Sequence, residues 1–152
     1  LFAFQADPEA NQMAVVNPRG EAAFYEWWGR VSADPGVVTR AIVADGVLAG
    51  SISCFRVEGL DWVGYWIGRE FWGRGIASRA LALFVEDGAV VAALAGRPLN
   101  ARAARTNVGS LKVLERCGFV VTEYRWEPAS ERFPACEEAV LVRPGRAVGP
   151  PG

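Results

Sequence analysis

One stretch constrains the fold more than any other: Gly64-Tyr65-Trp66-Ile67-Gly68-Arg69-Glu70-Phe71-Trp72-Gly73-Arg74-Gly75-Ile76-Ala77-Ser78. An apolar strand ends in a glycine loop, and the loop opens directly onto a helix that starts at Gly75 or Ile76. The first turn of a helix carries unpaired N–H donors, and its dipole favours negative charge there. Gly73 and Gly75 lack Cβ atoms, so a ligand can approach the main chain closely. This arrangement suits a diphosphate or a phosphate ester. A dinucleotide fingerprint wants G-x-G-x-x-G with an acidic residue about 20 positions later. Here the third glycine position is Ser78, and no strand-end carboxylate follows at that distance. The G-x-x-x-x-G-K-[ST] phosphate loop is absent. Two readings of the stretch remain, a loop for the pyrophosphate of an acyl-CoA or a purely structural turn.

A second segment follows a strand expected over residues 98–105. It reads Thr106-Asn107-Val108-Gly109-Ser110-Leu111-Lys112-Val113-Leu114-Glu115-Arg116-Cys117-Gly118-Phe119. Thr106 or Asn107 is suited to cap a helix, because a short polar oxygen accepts the orphan N–H two or three residues on. Asn107 and Ser110 are three apart and share one face of the first turn. Leu111, Val113 and Leu114 face a core. Gly118 sits where a left-handed residue closes a helix, with Phe119 as its hydrophobic partner.

Together the two segments resemble the GNAT superfamily of acetyl-CoA-dependent N-acetyltransferases. Trp72 to Ala77, W-G-R-G-I-A, is similar to that family's pyrophosphate loop. Asn107 to Phe119 is similar to its second cofactor segment. The aromatic-Trp-Gly-x-Gly order of Phe71 to Gly75 resembles the branch of ribosomal-protein N-terminal (alanine) acetyltransferases. The resemblance implies an α/β (α+β) domain over residues 1–144, with a mixed, mostly antiparallel central sheet and helices on both faces. Such domains usually begin with a strand ahead of the first helix, and none is visible before Leu1.

Composition agrees with a single folded domain. The chain has 152 residues, half of them apolar, with 6 Trp and 8 Phe, which argues against disorder. A net charge of −1 gives no field for nucleic acid or an anionic membrane. Histidine is absent, which removes a Ser-His-Asp triad, a histidine base and histidine metal ligands. The 3 cysteines, Cys54, Cys117 and Cys136, form no C-x-x-C pair. They argue against a disulfide framework or a zinc site and favour a reducing, cytoplasmic setting. No apolar run reaches the ~20 residues that span a bilayer.

The remaining elements read in order. Residues 1–5 look like the middle of a helix that ends before Asp7-Pro8. Residues 21–31 form a helix with Phe24, Trp27, Trp28 and Val31 along one stripe. Strands follow at residues 37–44 and 47–56, joined by the hairpin signal Asp45-Gly46, and Glu58-Gly59 turns the chain into Leu60–Ile67. A long helix is expected over residues 77–90, then strands at 119–126 and 137–143, and a Gly/Pro-rich disordered tail at 145–152.

The resemblance assigns roles residue by residue. Main-chain groups of Trp66, Ile67 and Gly68, on a strand that splays from its neighbour, would pair with the pantetheine arm of acetyl-CoA. Trp72, Gly73, Arg74, Gly75, Ile76, Ala77 and Ser78 would hold the pyrophosphate, although Arg74 is equally well read as a solvated arginine. Asn107 would contact the pantetheine arm, and Ser110 is the candidate hydroxyl beside the leaving thiolate. Many family members place a tyrosine four residues before the G-F pair, a position held here by Leu114. A base two residues before the G-Y pair is replaced by Trp62. Asp61, Glu58 and Glu70 are the nearby carboxylates, with Glu70 the candidate base. Trp27, Trp28, Tyr65 and Trp126 are expected to line the amine pocket. Trp27 and Trp28 cannot both point inward, so one would line that pocket or a homodimer contact. The expected activity is acetyl transfer to a primary amine in a ternary complex, without metal. The alternatives are a weak or silent acyl-CoA-binding module and a nicotinamide- or flavin-binding Rossmann domain.

Overall fold

Two left-handed turns draw the first three strands together. Asp45 and Gly46, at φ 50° and 78°, close β1 (Val38–Ala44) onto β2 (Val47–Val57). Glu58 and Gly59, at φ 51° and 80°, close β2 onto β3 (Leu60–Ile67). Positive φ at both central residues gives a turn whose twist matches that of the flanking strands. The computed structural model describes residues 1–145, so the expected tail lies, from residue 146 onward, outside the described residues.

The sheet has six strands in the order β1-β2-β3-β4-β6-β5, where β4 is Leu99–Ala104, β5 is Val120–Glu127 and β6 is Cys136–Arg143. Every neighbouring pair is antiparallel except β3 and β4. Those two are parallel and pair only at Asp61↔Leu99 and Trp62↔Asn100. Beyond that point the pairing stops, and the C-terminal half of β3 faces an open fork. Its base is pinned by Asp61, which is buried. Arg97 reaches the Asp61 carboxylate through Nε at 2.9 Å and Nη2 at 3.4 Å, and Arg56 lies 3.7 Å away. Asn100 Nδ2, also buried, donates to the Asp61 carbonyl at 3.0 Å.

Two helical expectations change. The single helix over 77–90 is two, α4 (Ile76–Phe84) and α5 (Gly88–Leu94). Asp87 makes the break. Its carboxylate accepts from Ala89 N at 2.9 Å and takes Arg40 Nε from β1 at 3.0 Å, so it caps a new helix instead of continuing the old one. At the other end, Asp7-Pro8 ends α1 (Phe2–Gln5) but also starts α2 (Pro8–Ala14). The Asp7 side chain accepts from Glu9 N and Ala10 N, and Pro8 occupies the first turn, where its missing N–H costs nothing. Buried Asn11 ties the two helices, donating to Gln5 O and Asp7 O, both at 2.8 Å.

In α3 (Glu21–Ala33), Phe24 is buried and Trp28 stacks on it at 6.2 Å and 7°. Trp27 tilts against Phe24 at 5.9 Å, and both tryptophans are half-buried. The core lies where α4, α5 and α6 (Val108–Arg116) cover the sheet, with Leu81, Val90, Leu99, Leu114 and Leu141 fully enclosed. Cys54, Cys117 and Cys136 are free thiols. Among the described residues, no helix is long and apolar enough to cross a membrane, and no group of His, Cys, Asp or Glu is placed to hold a metal ion.

Candidate active site

The open fork leads into the glycine loop. After Ile67, Gly68 N donates to Ala49 O at 2.8 Å, and a single 3-10 turn, Arg69–Phe71, reverses the chain. Trp72 Nε1 donates back to Ile67 O at 3.0 Å and clips the loop to the end of the strand. The chain then passes through two left-handed residues, Gly73 at φ 75° and Gly75 at φ 73°, a conformation that side-chain-bearing residues adopt only with strain. Gly75 is the N-cap of α4 and supplies no side chain to its first-turn N–H groups. Ser78, within that turn, has a buried Oγ with no hydrogen-bond partner. The turn therefore presents unmatched donors, which is the condition for binding an anion.

The second segment forms the opposite wall. Asn107 caps α6 by accepting from Ser110 N at 3.3 Å. Gly118, at φ 89°, ends the helix, and Phe119 N returns to Leu114 O at 3.1 Å with the Phe119 ring buried. Leu114 is 1% exposed and belongs to the core, so nothing at this position reaches a ligand. Ser110 lies at the cleft wall. Its Oγ lies 2.7 Å from the Tyr65 hydroxyl, across the fork from β3. Burial pushes the Tyr65 phenol up to about 12, against a smaller lowering from its bond to Ser110, so it stays protonated at neutral pH.

These walls enclose a cleft of about 440 Å³. It is lined by Trp66, Ile67, Trp72, Gly73, Gly75, Ile76, Ala77, Ser78, Asn107 and Ser110 of the expected cofactor residues, and by Tyr65. Gly68 and Arg74 do not line it. A Cβ on Gly68 would sit 2.7 Å from the Phe4 ring, so this glycine serves the docking of α1. The Arg74 guanidinium stands 5.6 Å from the centre of the Phe71 ring. Glu70 is exposed on the 3-10 turn and outside the cleft. Of the other weighed carboxylates, Asp61 is engaged with Arg97 and Glu58 is exposed in a hairpin turn.

Of the four residues expected at the amine pocket, Tyr65 lines this cleft and Trp27, Trp28 and Trp126 do not. Trp27 and Trp28 pack in the aromatic cluster around Phe24, where Arg19 covers the Trp27 ring at 4.1 Å. Trp126 is 68% exposed on β5 and lines no part of the cleft. Conversely, Lys112 and Arg116 line it without having been expected to do so. They follow Gly109 at helical spacings of three and seven, and that spacing is the signal that marks them. They are the only charged side chains in the lining, and neither pairs with a carboxylate among the described residues. The cleft thus combines free helix-terminal donors, an orphan hydroxyl and two cations, a donor set suited to a phosphorylated ligand. Ala10, Met13 and Ala14 of α2 complete the wall.

A model of the acetyltransferase (GNAT) domain matches residues 1–120 of the chain. No curated protein matches it in sequence. Several solved structures share its fold. An acetyltransferase (GNAT family) from Bacillus anthracis superposes with a TM-score of 0.76 at 14% identity, over 93% of this chain and 85% of that one. A ribosomal-protein-S5-alanine acetyltransferase from Vibrio fischeri gives 0.72 at 19% identity, over 93% and 86%. The protein yncA from Salmonella typhimurium, solved with its cofactor acetyl-CoA, gives 0.69 at 13% identity, over 90% and 80%. At these identities the likeness is one of fold.

Proposed function

The chain belongs to the GNAT acetyltransferase family, and from that premise we propose that it is an acetyl-CoA-dependent N-acetyltransferase. It moves the acetyl group directly from the thioester to a primary amine, a protein N-terminus or a small amine, with both substrates bound together. The observation that carries this reading is the continuity of the cleft. One end holds the uncapped start of α4 with the orphan Ser78 hydroxyl, and the other opens into the fork beside β3.

The residues divide the work along that path. Main-chain N–H groups from Gly73 to Ser78 hold the pyrophosphate, and Lys112 and Arg116 add positive charge beside them. Trp66 and Ile67 pair with Ser51 and Gly50 of β2 but have no partner strand on the β4 side beyond the fork, and main-chain groups on that open side meet the pantetheine arm. An N–H there polarises the thioester carbonyl as it gains negative charge. Asn107 lies where the arm passes α6, and Ser110 donates to the sulfur as the thiolate leaves. An ammonium has no lone pair, so the acceptor must reach the carbonyl as a free amine. Among the described residues, no carboxylate lines the cleft. The amine's proton therefore goes to solvent, and Glu70 takes part at most through water.

The test is calorimetric titration with acetyl-CoA and separately with NAD, followed by an amine panel read by thiol release. Micromolar binding of acetyl-CoA alone, with turnover of a primary amine, supports the reading. Failure to bind acetyl-CoA overturns it. Binding without turnover of any amine leaves the silent acyl-CoA-binding module, for which the buried hydrocarbon at Leu114 is the favouring observation.

A further inference from the structure

Tyr65 and Ser110 are 45 residues apart in sequence and come from opposite walls of the cleft. The phenol is supplied by β3 at the fork, the serine by the first turn of α6. Their oxygens are 2.7 Å apart, and the Tyr65 hydroxyl also lies 3.4 Å from the Ser110 carbonyl. A phenol ionises near pH 10, far below an aliphatic alcohol, so it is the better donor of the two. Ser110 Oγ therefore accepts from Tyr65. The serine's own proton has no other acceptor among the described residues, because the pair with Tyr65 is the only hydrogen bond its hydroxyl makes. Tyr65 itself has little freedom. Its ring packs against the core between Val63 and Ile67 on the same face of β3.

We propose that Tyr65 is a positioning residue for acyl transfer, whose phenol holds the Ser110 hydroxyl so that the serine proton points at the leaving sulfur. This rests on the acetyl-transfer reading given above. In the step, the amine nitrogen bonds to the acetyl carbon and the carbon–sulfur bond breaks, its electron pair passing to sulfur. The Ser110 O–H stabilises that charge through a hydrogen bond and keeps its proton. The amine sheds its proton to water, and the thiolate takes one from water at its ordinary pKa of about 8.5. The donor is fixed before the charge appears, so no reorganisation is needed as the bond breaks.

The experiment measures kcat with acetyl-CoA and the best amine of the panel, together with acetyl-CoA affinity by titration. The proteins are the parent, Tyr65→Phe, Ser110→Ala, the double variant and Ser110→Thr. Losing one donor to a developing charge lowers rates by roughly a hundredfold, and that loss is expected for Ser110→Ala. Tyr65→Phe, which removes one oxygen and leaves the ring packed, is expected to lose about tenfold in kcat. Residues acting as a unit do not multiply their losses, so the double variant should be no slower than Ser110→Ala. Ser110→Thr keeps the hydroxyl and should recover kcat to within about threefold of the parent. Acetyl-CoA affinity should stay within about twofold throughout. Three outcomes each overturn the role: a Tyr65→Phe kcat equal to the parent's, multiplicative losses in the double variant, or a loss confined to acetyl-CoA affinity. So does a Ser110→Thr enzyme as slow as Ser110→Ala. A parent that binds acetyl-CoA but turns over no amine overturns the transfer reading itself, and this role with it.

Discussion

Glu138 on β6 is a carboxylate in an unfavourable place. Its Oε2 is buried without a hydrogen-bond partner. Burial raises its pKa above the usual 4.5, Glu127 adds to the rise, and Arg102 and Arg125 only partly offset it. In the folded protein this carboxyl therefore holds its proton more tightly than in the unfolded chain. Where the native state binds more protons, stability falls as pH rises. The penalty is absent below the unfolded pKa and complete above the folded one. Glu138→Gln cannot ionise, so its melting temperature is expected to exceed the parent's at pH 7, with the gap closing near pH 4. Melts at the two pH values check this, and an equal gap at both would show that the charge is not the cause. A shift of this kind is invisible in the sequence. Glu138 reads there as one more polar residue in an alternating strand, and only the register against β4 and β5 brings Arg102, Arg125 and Glu127 around it. The same is true of Tyr65. Strand alternation gave its face, but nothing local joined it to Ser110.

At the scale of elements, the fork between β3 and β4 is what converts a sheet into a binding site, and two side chains set where it starts. Asn100 sits at the last paired position, and its amide meets the Asp61 carbonyl in a buried setting. Asn100→Ala would leave that carbonyl without this donor. A buried polar group stripped of its partner costs about 1–3 kcal/mol, and that loss is expected in urea unfolding, with an unchanged dependence on denaturant. A value under about 0.5 kcal/mol, typical of a neutral surface change, would mean that the base of the fork is held by the Asp61–Arg97 pair alone. The strands and their turns were legible because period-two alternation and two-residue turns are local signals. The helix boundaries that went astray were decided by aspartates with two uses. Asp7 followed by proline reads as a stop, yet the same pair is a well-formed helix start. Asp87 reads as a polar residue inside a helix until Arg40 of β1 is brought beside it.

For the whole molecule, the notable contact joins two distant loops. Asn17, which follows α2, donates from its main chain to Arg132 O at 2.7 Å and from Nδ2 to Glu131 O at 3.1 Å. Arg132 returns a bond from Nη1 to the Asn17 carbonyl. This latch closes a loop of more than a hundred residues, and it ties the connection between β5 and β6 to the helical end of the chain. In the proposed transfer reading the amine acceptor lies between these two walls, whereas the cofactor cleft is built mainly from β3, α4 and α6, which the latch does not touch, with Ala10, Met13 and Ala14 of α2 completing its wall. Opening it should therefore separate the two halves of the reaction. Asn17→Ala with Arg132→Ala is expected to speed amide exchange across residues 128–135 by at least about tenfold, since local opening there would then break only the main-chain bond of the latch and not its two side-chain bonds. Amides of β2 in the sheet centre should keep their protection. Acetyl-CoA affinity should hold while KM for the amine shifts, because the β3, α4 and α6 walls of the cleft make no latch contact and α2 stays held by Asn11. If acetyl-CoA affinity falls in step with the amine's, the loops and the cleft form one cooperative unit, and the acceptor wall cannot be tuned apart from the cofactor site.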